Sequence, residues 1–202
     1  MAGAPPSPRH REVGVGIACL LVLFLNPTQR AQAELGGHQD NDGWRGPMGE
    51  DDADSVAAVL AGARLARSDP ATAERAVMRA LALAPDDIEA RLAAYRFYFY
   101  NHRIAEALAQ ADSIVVLMAR RLNIATDWRL VRPGDAPFSG PEEAPGLYLQ
   151  ALLAWGYGNV RLGQIDEGCR ALEKVVELDQ RDRFGARRLL AVIAAGEQAE
   201  DD

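Results

Sequence analysis

Lysine is almost missing from this chain: of 22 basic residues among 202, only Lys174 is not arginine. The skew runs the whole length, so arginine by itself carries no nucleic-acid weight. With 29 acidic residues the formal charge is −7. Nucleic-acid affinity comes mainly from neutralising phosphates, so no nucleic-acid partner is expected. Cysteine is scarce as well, with Cys19 and Cys169 the only two. No histidine or cysteine stands at zinc spacing from His102, which reads as a turn residue. His38, Asp40, Asp42 and Gly43 echo a calcium loop. Its first ligand position is a histidine, however, and its twelfth is Gly49 where a bidentate Glu belongs. The chain also lacks G-x-S-x-G, a phosphate-cradling glycine loop and a dinucleotide fingerprint. Ser113 and Ser139 have no histidine near them in sequence to activate them, and Glu142-Glu143 reads as a solvated pair. No cofactor, no metal and no catalytic residue is expected.

Long hydrophobic runs are limited to one. Arg9, His10 and Arg11 precede Val13–Leu25, Asn26-Pro27 ends the run, and Ala31-Gln32-Ala33 follows with small residues. That is the layout of a secretory signal peptide over 1–33, cut between Ala33 and Glu34. A helix of that run would reach only about 20 Å, short of the roughly 30 Å hydrocarbon core. Cys19 lies early in the run with Gly16 before it, the reverse of a lipidation motif, so the sequence predicts an exported protein with no integral span after processing. Cys169 would then be left alone, either a small buried residue or a point of intermolecular pairing.

What remains is half apolar and a quarter charged, the composition of a folded chain. Removing 1–33 leaves 19 basic and 28 acidic residues, a charge of −9. Residues 34–54 hold seven acids and one arginine, and Glu197, Glu200, Asp201 and Asp202 add four more, so the body between is close to neutral. Residues 34–53 read as a disordered acidic linker.

The body repeats itself. A shift of 34 brings Ala73 onto Ala107, and a shift of 61 brings Ile104-Ala105-Glu106-Ala107 onto Ile165-Asp166-Glu167-Gly168. Copies therefore begin near 54, 88 and 149, with an insertion over 122–148. Each copy reads as two helices. Val56, Val59, Leu60 and Ala63 recur at helical steps; Asp69-Pro70 then starts a second helix, which runs to Leu83. In copy three Leu152, Leu153, Trp155 and Val160 belong to the first helix, Gly163 to the turn, and Asp166–Leu178 to the second. Residues 183–198, with Phe184, Leu189, Leu190 and Ile193 in a stripe, read as a capping helix.

On the stretch Arg161-Leu162-Gly163-Gln164-Ile165-Asp166-Glu167-Gly168, continuing to Glu177-Leu178-Asp179, the chain resembles the tetratricopeptide repeat (TPR) family. The family's small positions would be Ala61, Ala73 and Ala80 in copy one and Gly156, Gly168 and Val175 in copy three. Copy two departs, with Tyr95 and Ile114 there, which would splay its helix pair. The resemblance implies an all-α, TPR-like helix-turn-helix solenoid with repeats at 54–121 and 149–182, a Pro/Gly-rich insertion and a C-terminal cap. It names an architecture and no reaction. The family's carboxylate-clamp face would need lysine and asparagine where this chain has Ala58, Gly62 and Gln150.

On that register the first helices line a concave groove. Leu65 and Ala66 would face it from copy one, Leu92, Arg96, Phe99 and Tyr100 from copy two, and Leu153, Tyr157, Val160 and Arg161 from copy three. Aromatics and arginines dominate interface hot spots. The run Tyr95-Arg96-Phe97-Tyr98-Phe99-Tyr100 winds around its helix axis and cannot all face one core; groove lining and plugging of the splayed repeat both account for it. Trp128, Leu130, Val131 and Phe138 give the insertion the means to fold back over the groove as a lid or built-in pseudo-ligand, against a plain solvated excursion.

The reading is an exported, periplasmic module that binds another protein or peptide segment: an assembly factor, scaffold or chaperone-like adaptor. One alternative is an enzyme, or its accessory subunit, with a buried polar site around Trp128, Arg129, Arg132 and Glu142. Another is a homo-oligomer formed through open repeat ends or Cys169.

Overall fold

The computed structural model describes Val56 and residues 69–198. Residues 1–33 and the Ala33–Glu34 junction, residues 34–53 with His38 to Gly49, and most of the first helix expected for copy one, with Val59, Leu60, Ala61, Ala63, Leu65 and Ala66, lie outside the described residues. Among the described residues the protein is all-helical, with no strand. The helices are α1 (Pro70–Leu83), α2 (Ile88–Tyr100), α3 (Ile104–Leu122), α4 (Glu143–Arg161), α5 (Ile165–Leu178) and α6 (Ala186–Gln198). A single 3-10 turn, Trp128–Leu130, lies between α3 and α4.

Local chemistry sets the ends. Asp69 accepts from the amides of Ala71 and Thr72 at 3.1 and 3.2 Å and so satisfies two orphan donors. Pro70 occupies a first-turn position whose missing N–H costs nothing. Asp87 starts α2 the same way, accepting from Ala90 N at 2.8 Å. The α2–α3 and α4–α5 turns close alike. His102 (φ 59°) and Gly163 (φ 82°) are both left-handed. In each turn the next amide reaches back five residues: Arg103 N to Tyr98 O at 2.9 Å, and Gln164 N to Asn159 O at 2.9 Å. These two turns are 61 residues apart, the shift that aligned the two copies in sequence.

Each extensive helix contact joins neighbours in sequence: α1 with α2, α2 with α3, α3 with α4, α4 with α5 and α5 with α6. Ala73, Val77 and Ala80 are the buried face of α1, and Val56 packs against Ala80 and Ala90. Tyr95 and Ile114, the bulky departures of copy two, are both buried in the main core. Helices α4 and α5 approach closely at two glycines. A Cβ on Gly168 would stand 2.5 Å from Gly156 O and 2.9 Å from Val160 N, so two small positions read from the sequence mark a real contact.

The insertion is shorter than its sequence reading. Helix α4 begins at Glu143, so residues 143–148 are helical and Leu122 is the last residue of α3. Pro145 and Gly146 looked like loop residues. Pro145 falls in the first turn of α4, where proline breaks no helix bond.

Candidate interaction surface

Helix α4 is buried almost all round, and its four sides have different neighbours. Gly156 packs against Leu172 and Gly168 of α5, and Gly158 against Leu108 of α3. Tyr148 and Trp155, seven residues apart and so nearly two turns on, share a third side. Tyr157 is nine residues from Tyr148, about two and a half turns, which puts it on the opposite side.

That fourth side meets α2. Tyr157 and Phe99 have ring centroids 6.3 Å apart. Phe99 stacks on Tyr95 at 5.7 Å and meets Tyr100 edge-on at 5.8 Å. The Arg161 guanidinium donates to Tyr157 OH at 2.9 Å and lies 5.8 Å from its ring centroid. A continuous row of rings thus bridges α2 and α4 and ends at the exposed Arg161. Tyr95 is buried, and burial first, then Tyr157 and Tyr100, holds its phenol neutral well above the usual tyrosine range.

Within the row, exposure sorts the residues. Tyr100 is 61% exposed and Arg161 is exposed, while Arg96 and Phe99 are half-buried. Leu92, Leu153 and Tyr157 are buried in the core and are not available at the surface to a partner. The rest of the aromatic run is structural: Tyr98 is buried and Phe97 packs edge-on against it at 5.4 Å. The run is thus divided between buried residues, Tyr95 and Tyr98, and the exposed Tyr100.

The insertion does not lie over this row. Trp128 packs on Trp155 at 5.7 Å and Phe138 on Tyr148 at 5.7 Å, on the far side of α4. Trp128, Val131 and Phe138 are buried and Leu130 is 67% exposed. The sequence reading of a lid over the groove is therefore corrected: this segment is a strap on the opposite face. Lys174 Nζ donates to Val131 O at 3.2 Å. Arg183 donates to Gly140 O at 2.6 Å and also to Phe138 O. Arg129 pairs with Glu167. Arg129, Arg132 and Glu142 are all exposed and form no buried polar cluster with Trp128. Among the described residues no group of histidine, cysteine and acidic side chains is placed to hold a metal, and no helix is long and apolar enough to cross a membrane.

Three buried polar groups escaped the sequence reading. Asn159 is 2% exposed and its side-chain amide donates to Trp155 O at 2.9 Å. Asp179 is 1% exposed and accepts from Arg183 N at 2.7 Å and Arg183 Nε at 3.3 Å. Tyr148 is fully buried and its hydroxyl has no hydrogen-bond partner among the described residues. Burial, with a smaller contribution from Asp127, pushes its phenol far above the usual range. Asp179 carries a signal in retrospect, since it ends α5 four residues before Arg183. Tyr148 carries none.

No family model matches the chain, and no solved structure matches it. A relative is the "Uncharacterized 19.8 kDa protein in nifW 5'region" of Azotobacter chroococcum mcd 1, 42% identical over 126 residues. The alignment covers 61% of this chain and 70% of that protein, so the chain belongs to the same family as the Azotobacter protein.

Proposed function

We propose that this is an exported, TPR-like interaction module of the cell envelope, an assembly factor, scaffold or chaperone-like adaptor that captures a segment of another protein. The ring row from Tyr95 through Phe99 and Tyr100 to Tyr157 and Arg161 carries the reading. It presents an exposed tyrosine and an exposed arginine on a rigid, buried support. Consecutive helix packing, two turns of the same geometry and the glycine contact between α4 and α5 support a repeat solenoid capped by α6. The leader over 1–33 supports export and a periplasmic location. The chemistry on offer is binding: aromatic surface for apolar side chains of a partner and guanidinium donors for its carbonyls or carboxylates.

Affinity capture from the native envelope tests this, comparing Glu34–Asp202 with a Tyr100→Ala/Arg161→Ala variant and with Phe99→Ala/Tyr100→Ala. Products of genes neighbouring this chain's own are the first candidates, since the Azotobacter relative is named for its place beside nifW. A partner held by the natural chain and lost from both variants is the expected result. Equal recovery from all three removes the ring row from the function.

A further inference from the structure

The strap is attached in an unusual way. Its own amide bonds are local: Leu130 N to Asp127 O, Asp135 N to Arg132 O, Phe138 N to Ala136 O and Gly140 N to Pro137 O. What ties it to the helices is side-chain work. Trp128, Val131 and Phe138 are its buried anchors, and Lys174 and Arg183 donate to its carbonyls. Arg183 is itself held in place by the buried carboxylate of Asp179. Recognition of carbonyls by fixed cationic donors ignores side-chain identity, so any extended segment offering carbonyls in that register meets the same donors.

We propose that the trough on the Tyr148 and Trp155 side of α4, walled by α5 and the α5–α6 turn, is a binding site for an extended peptide with a bulky aromatic anchor. The chain fills this site in cis with residues 128–140. The second observation is Tyr148. Its ring packs on Phe138 of the strap at 5.7 Å, and its hydroxyl is fully buried and unpartnered among the described residues, so the strap leaves unsatisfied a donor that an incoming segment with an oxygen acceptor would satisfy. The strap can lift while α3 and α4 keep their backbone bonds, because those helices end at Leu122 and begin at Glu143. The site is on the opposite side of α4 from Tyr157 and Arg161, so it stands or falls independently of the function proposed above.

The test uses a fluorescein-labelled synthetic peptide of residues 126–142, with a scrambled peptide as control. Each is titrated onto the full natural chain and onto a Trp128→Ala/Phe138→Ala variant, in which the cis segment loses its two ring anchors. The cis strap occludes the trough for most of the time in the natural chain, so the variant binds the peptide at least about tenfold more tightly. No binding to the variant, or equal binding of the scrambled peptide, overturns the proposal. A second form guards against a variant that fails to fold: a protease site placed between Gly134 and Asp135, cut after folding. The cut chain should keep its helical signal and take up the labelled peptide. Collapse on cutting, or no uptake by a chain that stays folded, overturns the proposal equally.

Discussion

Gly168→Ala tests the close approach of α4 and α5. Alanine is favoured over glycine inside a helix by about 1 kcal/mol, so on local grounds the change stabilises α5. Tertiary packing opposes it. The new Cβ would stand 2.5 Å from Gly156 O, 2.5 Å from Val160 Cγ2 and 2.9 Å from Val160 N. Two of those atoms are backbone and the third belongs to a β-branched side chain that is stiff at χ1. Relief requires the helices to move apart, and forced overpacking costs about 1–3 kcal/mol or more. Taking the upper end, the net loss is about 2 kcal/mol, a fall in Tm of roughly 4–8 °C for a chain of this size. Gly158→Ala is the matched control. The three atoms nearest its Cβ all belong to the Leu108 side chain, and the one tight contact is with its terminal Cδ1, at 3.0 Å, which can turn aside, so the change should be neutral or stabilising by up to about 1 kcal/mol. Urea unfolding followed by helical circular dichroism measures both variants. A Gly168→Ala protein as stable as the natural chain would refute the packing argument.

Three further outcomes are expected. His102 holds a left-handed backbone where the equivalent turn has Gly163; His102→Gly should add about 0.5–1 kcal/mol in the same urea assay, strain relief exceeding the entropy cost of glycine. Tyr148→Phe removes a buried hydroxyl without a partner and should raise stability by about 1 kcal/mol, a loss of similar size showing that the hydroxyl is satisfied in solution. Asp69 is held below its ordinary range by Thr72, first its side chain and then its amide, and Glu106 is held low by the Arg103 side chain. Both carboxylates therefore contribute stability that is fully present above their unfolded values and is lost as pH falls below about 4, through the lower folded ones. Asp69→Asn should flatten part of that acid limb, and an unchanged limb would mean that Asp69 carries none of it.

Most of the helical framework was legible because its signals are local. Asp69-Pro70 and Gly163 shape the backbone within a few residues of themselves, and helical period placed the helices that end at Leu83 and Leu178. Small residues at Ala73, Ala80, Gly156 and Gly168 marked buried or closely approached positions, since only small side chains fit where helices touch. Which aromatics would be exposed was not legible, because a run of rings surrounds its helix and only the neighbours decide which ring is covered. Leu92, Leu153 and Tyr157 shared a face on the sequence register, yet the packing of α2 against α4 left Tyr100 and Arg161 as the exposed members.

By itself, then, the sequence determined the all-helical character of the described residues and the small positions where α4 and α5 touch, both set by short-range hydrogen bonding and helical period. Tertiary structure alone decided where the strap lies. Trp128, Val131 and Phe138 follow no period, and their partners Trp155, Lys174, Tyr148 and Arg183 are spread over two helices and a turn. The side of α4 they cover was fixed by whichever apolar surface α3, α5 and the ring row left open, a three-dimensional remainder that no spacing along the chain encodes.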